Sequence, residues 1–304
     1  HCRIKIAMSN VRNIAEPSVF ERAARLIREP SRALYGVWKR IFRNTPFPMR
    51  LPFGAWWLAG DDYSGTVIRR GGFENSEYSF VRRYLEPGMT VLDIGAHHGF
   101  YTLLASTRVG REGRVHAFEP SPRERAALLR HLRWNRRRNV SVNALALGKE
   151  ANTAQLFVVD QNQTGCNSLR PPASDVHESC TPMAVDVVTL DSWFSGRDVR
   201  SVDFVKLDVE GGELDVLKGA SAFLDRRPRP VFLVEVQDVR TENWGYPAKE
   251  IISFLAVRGF RWFSLLPDGS LSPLNIDSQR FEGNYVAWPE GHDVQRLATF
   301  VQNS

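Results

Sequence analysis

Cysteine is scarce in this sequence. Three in 304 residues, Cys2, Cys166 and Cys180, provide neither an even disulfide framework nor the close spacing of a metal knot. A reducing, cytoplasmic setting is therefore the expectation. No apolar run reaches the roughly 20 residues that cross a bilayer. Residues 1–15 contain no apolar stretch followed by a cleavage site, so no secretory signal is expected. Internal repeats and low-complexity tracts are missing as well, which argues against a solenoid or a disordered chain.

What is present suits one sizeable core: 43% of residues are hydrophobic and 11% aromatic. The net charge of +6 is unevenly spread, because residues 1–50 hold 11 Lys/Arg against 3 Asp/Glu and the remainder is slightly acidic. A basic arm of this kind can contact phosphates, an acidic partner or, peripherally, a membrane surface; the plainer reading is a solvated helical face. Residues 17–43 have helical apolar spacing, divided at Pro30. Pro46, Pro48 and Pro52 mark a linker, and residues 53–70 read as a short hairpin. The division expected is an extension and linker over 1–52, then a main domain over 53–304.

From about residue 76, strands alternate with helices. Strands are predicted at 90–94, 114–119, 141–146, 204–208 and 231–236, and helices at 101–108, 122–134, 213–224 and 247–258. That alternation implies an α/β domain with a mostly parallel sheet, helices on both faces and ligands at the carboxyl ends of the strands. Residues 149–200 form an insertion, in which 155–159 and 184–188 pair as a ribbon and the polar loop 160–180 hangs over the ligand edge. Residues 262–266 and 285–288 close the domain as two strands around a Pro/Gly turn.

The most informative segment is Val91-Leu92-Asp93-Ile94-Gly95-Ala96-His97-His98-Gly99. A buried strand enters a turn bounded by Gly95 and Gly99, and a helix follows. Glu119 ends the next strand, where a carboxylate can accept both hydroxyls of a ribose. A dinucleotide site calls for Gly-x-Gly-x-x-Gly, with pyrophosphate on the helix N-terminus. Here the spacing is Gly-x-x-x-Gly, and Asp93 would repel a pyrophosphate. The same carboxylate suits the ammonium of a methionine moiety, so S-adenosylmethionine fits better than NAD.

Tyr84-Leu85-Glu86-Pro87-Gly88-Met89 and the turn that follows, through Thr102, resemble the opening motif of the FkbM-family methyltransferases. The similarity continues through HAFEPSP (residues 116–122), NALALG (143–148), VVTLDSWF (187–194), VDFVKLDVEGGELDVLKGA (202–220) and PVFLVEV (230–236). It spans about residues 74–288 and leaves residues 1–50 outside. The resemblance implies the Rossmann-like class I methyltransferase fold with a seven-stranded sheet, S-adenosylmethionine as donor, and O-methylation, commonly of sugar or polyketide hydroxyls. The acceptor expected is a hydroxyl of a small molecule or carbohydrate. His97 and His98 stand where an Asn-plus-aliphatic pair is usual, and Gln237 where a His often follows.

On that fold, Asp93, Gly95 and Ala96 face the methionine end, and His97 and Gly99 border the same turn. Glu119 takes the ribose, Pro120 and Ser121 lie beside the adenosine, and Asn143, Ala144 and Leu145 flank adenine. Methyl transfer to an aliphatic hydroxyl benefits from a base. The carboxylates at the ligand edge are Asp208, Glu210 and Glu235, with Glu210 the preferred base, Glu235 second, and Asp208 at the methionine end. His97 and His98 are further base candidates. No dedicated metal cage is evident, so no metal is expected. Residues 122–140 hold seven arginines around Trp134. No RNA-binding module accompanies them, so nucleic acid is not the expected partner. RNA methylation and a non-catalytic protein with a vestigial cofactor site are the alternative readings.

Overall fold

The computed structural model describes residues 30–42 and 45–302. The chain divides between Phe47 and Pro48 into two units. In the first, residues Pro30–Ile41 are helical. Trp38 packs on Phe42 with ring centroids 4.4 Å apart. The helix expected upstream of Pro30, and with it most of the basic arm, lies outside the described residues.

Strands β1 (Phe47–Arg50) and β2 (Trp56–Ala59) form a two-stranded ribbon. The hairpin expected over 53–70 ends there, because Tyr63–Arg69 is a helix. Asp62 starts it: its Oδ1 accepts from the Gly65 N–H at 3.1 Å.

The central sheet contains β3 (Thr90–Ile94), β4 (Arg114–Phe118) and β5 (Val140–Asn143). Between these and the rest of the sheet come β6 (Ala146–Leu147), β7 (Asn152–Val159) and β8 (Cys180–Val188), which build a separate three-stranded sheet. The central sheet then resumes with β9 (Phe204–Leu207), β10 (Val231–Gln237), β11 (Phe260–Leu265), β12 (Leu271–Pro273) and β13 (Glu282–Pro289). Its order is β12-β11-β13-β10-β9-β3-β4-β5. The five strands from β10 to β5 are mutually parallel, and β13, β11 and β12 are added antiparallel. Among the described residues the central sheet thus has eight strands rather than seven. The extra one is β12, which pairs with β11 across a turn fixed by Asp268, whose Oδ1 accepts from the Ser270 N–H and hydroxyl at 2.9 and 2.6 Å.

The strand expected over 141–146 is broken in the structure. β5 stops at Asn143, and Ala146–Leu147 run parallel to β8 instead. The Asn143 amide anchors the break, donating to the Ala117 carbonyl at 3.1 Å and accepting from Trp193 Nε1 at 3.0 Å.

Alternation along the strands sends side chains to two cores. Leu92, Ile94, Val205, Leu207, Phe232 and Val234 join one cluster with Trp193, Leu217 and Ile251 from the helices. On the other face, Phe204 meets Tyr84 of the helix Asn75–Tyr84, and Tyr84 also packs edge-on against Trp288. With both faces covered, the carboxyl ends of β3, β4, β9 and β10 come together to line a cavity.

Candidate active site

The turn after β3 is built from left-handed backbone. Gly95, His97 and Gly99 have φ of +87°, +48° and +90°. A Cβ at Gly95 would strike the Asp208 carbonyl oxygen, and one at Gly99 would strike Leu128. Glycine at these two points lets β3, β9 and the helix Pro122–Trp134 close around the turn. The Gly95 and Ala96 N–H groups donate to the Phe118 carbonyl at 3.1 and 2.9 Å, and the Asp208 N–H donates to Ile94 at 3.0 Å.

A cavity of about 520 Å³ opens above this turn. Asp93, Gly95, Ala96, His97, Glu119 and Pro120 line it on one side. Asp208, Glu210 and Glu235 line the other, with Lys206, Gln237 and Arg240 beside them. Four expected residues do not line it. Gly99 shapes the turn from behind, Ser121 is buried with its hydroxyl donating to Glu124, Asn143 is committed to Ala117 and Trp193, and Ala144 is exposed. Leu145, expected beside adenine, does line it.

Asp93 is 1% exposed. Its Oδ2 accepts from the Thr102 hydroxyl at 2.5 Å, and its Oδ1 is buried without a partner. Burial raises its pKa, and Lys206 pulls against that shift. Glu119 accepts from the His97 N–H at 2.7 Å and the Ser121 N–H at 2.9 Å. Burial pushes its carboxyl up to about 8. An orphaned buried carboxylate, a second carboxylate 26 residues on and a glycine turn without room for a Cβ together fit the ammonium, ribose and close backbone approach of S-adenosylmethionine.

The three carboxylates of the opposite wall differ in what holds them. Their oxygens lie within 4.8 Å of one another. Asp208 accepts from Lys206 Nζ at 2.6 Å, and that ammonium sits 4.8 Å above the Tyr101 ring. Glu210, at φ +57°, lies with Oε2 2.9 Å from Arg240 Nε, within ion-pair range though poorly aligned for a hydrogen bond. Burial pushes Glu210 to about 8 against the pull of Arg240. Among the described residues, no cation forms an ion pair with Glu235. Gln237 Nε2 donates to its Oε1 at 2.9 Å, and Oε2 is buried and unpartnered. Burial first, then repulsion from Asp208, Glu210 and Glu213, holds Glu235 well above the ordinary carboxylate range.

The loop 160–179 is tied on both sides of the cavity. On one side Thr164 donates to Asp62 Oδ2 at 2.9 Å and faces His97 Nε2 at 3.1 Å. On the other, Arg240 donates to Asp175 at 2.6 Å, Asn243 to the Pro171 and Pro172 carbonyls, and Ser168 to the Glu210 carbonyl at 2.8 Å. His97 thus serves as a tie between turn and loop, and burial keeps its pKa well below 6.5. His98 is held by its carbonyl, which accepts from His131 Nδ1 at 2.8 Å, while His131 Nε2 takes the Leu58 N–H at 3.1 Å. Nothing local in the sequence points to His131, since a lone histidine on a basic helix looks like surface. Arg240 was equally hidden, because its partners Asp175 and Glu210 lie 65 and 30 residues away.

A family model described as the Methyltransferase FkbM domain matches residues 93–262, more than half of the chain. A curated protein named Methyltransferase 1, from Beauveria bassiana (strain ARSEF 2860), is 26% identical over 144 residues, 42% of this chain; the chain spans 57% of that protein's length. Among solved structures, a SAM-dependent O-methyltransferase from Thermotoga maritima superposes with a TM-score of 0.40 at 13% identity, covering 81% of this chain and 78% of that one. A SAM dependent methyltransferase from Aquifex aeolicus gives 0.39 at 16% identity, covering 73% and 96%.

Proposed function

This chain belongs to the FkbM family of S-adenosylmethionine-dependent methyltransferases, and from that premise we propose that it methylates a hydroxyl oxygen of a small molecule or carbohydrate, with Glu235 as the proton acceptor. The observation that carries this reading is the buried Glu235 Oε2, unpartnered and set in the cavity wall. A hydroxyl loses its proton as the O–CH3 bond forms, so an oxygen acceptor needs such a group.

When bound, the cofactor supplies an electrophilic methyl on a sulfonium. Asp93 would hold its ammonium, Glu119 its ribose, and Pro120 and Leu145 its adenosine, with the Gly95-Ala96-His97 backbone alongside. Asp208, kept in place by Lys206, adds negative charge next to the positive donor. Glu210 becomes an organising residue in this arrangement: its side chain holds Arg240 and its carbonyl anchors Ser168 and Trp244 Nε1 of the covering loop and its neighbour. Gln237 and Arg240 give the acceptor end hydrogen-bond donors suited to a polyhydroxylated molecule, and the covering loop excludes water, which would compete as an acceptor. Alignment of oxygen, methyl and sulfur then supplies much of the rate.

Incubation with cofactor carrying a ¹³C methyl and a panel of sugars and phenolic and aliphatic alcohols tests the reaction class. A ¹³C O-methyl ether is the expected product by NMR. Label found only on nitrogen or carbon would overturn the oxygen assignment.

A further inference from the structure

The arginines of residues 122–140 divide sharply by position. Arg123 reaches the Val159 carbonyl at 2.7 Å, and Arg125 reaches the Glu119 and Pro120 carbonyls at 2.9 and 2.7 Å. Both brace the candidate active site. Those further along do something else. Arg133, Arg136, Arg137 and Arg138 rim a separate groove of about 470 Å³ at the outer end of the sheet. Its floor is apolar, made by Leu132 of the helix Pro122–Trp134 and by Val140 and Val142 of the edge strand β5. No carboxylate contributes to the lining. Among the described residues, none of these four arginines takes part in an ion pair. The Arg137 Nε is buried there with no hydrogen-bond partner.

Large apolar side chains adjoin the groove. Leu129, Trp56 and Trp134 are 37%, 37% and 39% exposed. The two tryptophans stack at 5.2 Å and 22°, and Arg50 covers Trp56 at 4.6 Å from the ring centroid. Asn135 locks them in place, exchanging hydrogen bonds of 2.7 Å with the Trp56 N–H and carbonyl. Rigid, half-exposed indoles beside unpaired guanidinium groups are the composition of a surface that sits at a lipid interface.

We propose that this face, formed by the groove and the Trp56–Trp134 pair, docks the protein on an anionic phospholipid membrane. The guanidinium rim meets lipid phosphates, and the indoles and Leu129 enter the headgroup layer. Charge complementarity selects an anionic partner, and the floor and the indoles select an amphiphilic one. A nucleic acid strand suits the face less well: Trp56 is covered by Trp134 and Arg50, leaving no slot for a base, and an apolar floor offers nothing to a phosphodiester backbone. The inner side of the same helix presents Leu128 to Gly99 and His131 to the His98 carbonyl. Docking would therefore place the cofactor turn one helix thickness from the bilayer. This goes beyond the reaction proposed above and does not depend on it.

Co-sedimentation of the full chain with vesicles tests the proposal. The wild type is expected to bind phosphatidylglycerol/phosphatidylcholine vesicles and not pure phosphatidylcholine. The double variant Arg136→Glu/Arg138→Glu should lose about ten-fold or more in partitioning, each basic side chain near the surface being worth about 1 kcal/mol. Trp134→Ser should weaken binding several-fold while leaving its salt dependence unchanged, and circular dichroism melting confirms that each variant is folded. If the double variant does not fold, Trp134→Ser decides alone. Failure of the wild type to bind, or binding that survives these substitutions because the basic arm carries it, overturns the proposal. So does displacement of vesicles by a short RNA with a steep salt dependence.

Discussion

Glu235→Gln is expected to slow methyl transfer by about 10²–10⁴-fold while leaving S-adenosylhomocysteine binding within about two-fold. Glutamine keeps the volume, and its carbonyl can still accept from Gln237 Nε2, as Glu235 Oε1 does at 2.9 Å. What it loses is the ability to take a proton at the unpartnered oxygen. Glu210→Gln should cost less at the chemical step, because Glu210 is already engaged with Arg240 at 2.9 Å. The pH profile separates the two roles. A carboxyl whose pKa is raised by burial is protonated at low pH and becomes a competent acceptor only as pH rises through that pKa. Turnover should therefore climb as pH rises through that raised pKa in the wild type and be flattened in Glu235→Gln. Normal turnover by Glu235→Gln would return the role to Glu210, which burial pushes to about 8.

Asp93→Ala should reduce S-adenosylmethionine affinity by about 100-fold or more, since it removes a charge-assisted contact inside a water-poor site. It also leaves the Thr102 hydroxyl, now bonded to Asp93 at 2.5 Å, without an acceptor, at about 1–3 kcal/mol of stability. Asp93→Asn keeps that acceptor and removes only the charge, so it should lose affinity with little loss of stability. The donor's positive charge also couples binding to protons. Burial pushes Glu119 up to about 8, and Glu210 to about 8 against the pull of Arg240. A cationic donor favours their ionised forms, so its binding releases protons and its affinity rises between about pH 6 and pH 8. S-adenosylhomocysteine lacks the sulfonium and should show a shallower slope. Calorimetry in buffers of different ionisation enthalpy measures both quantities, and equal slopes for the two ligands would contradict the coupling.

The parts of the site that were legible in the sequence are those where chemistry and local backbone coincide. Asp93, Gly95 and Glu119 announce themselves because a strand, a turn and a second strand end fall within one short stretch, and the turn permits only glycine at Gly95. Strands with both faces buried read clearly as apolar runs, as in β3 and β10. Missed features depend on partners distant in the chain. Helix Tyr63–Arg69 looked like a strand because its aromatic and β-branched residues outweighed the single start signal at Asp62. The third strand was carried past Asn143 because nothing local shows that its amide is committed to Ala117 and Trp193. Glu210, the base preferred from sequence, and Glu235 are both carboxylates at strand ends, and nothing local separates them. Only the structure shows Arg240 beside Glu210 and leaves Glu235 unpaired.

The most direct test of the account is a crystal structure of the full chain grown with S-adenosylhomocysteine. The amino group is expected against Asp93, the ribose on Glu119, the adenine along Leu145 and the sulfur facing Glu235. A cavity that side chains fill, or one that turns this ligand away and accepts NAD, would contradict it.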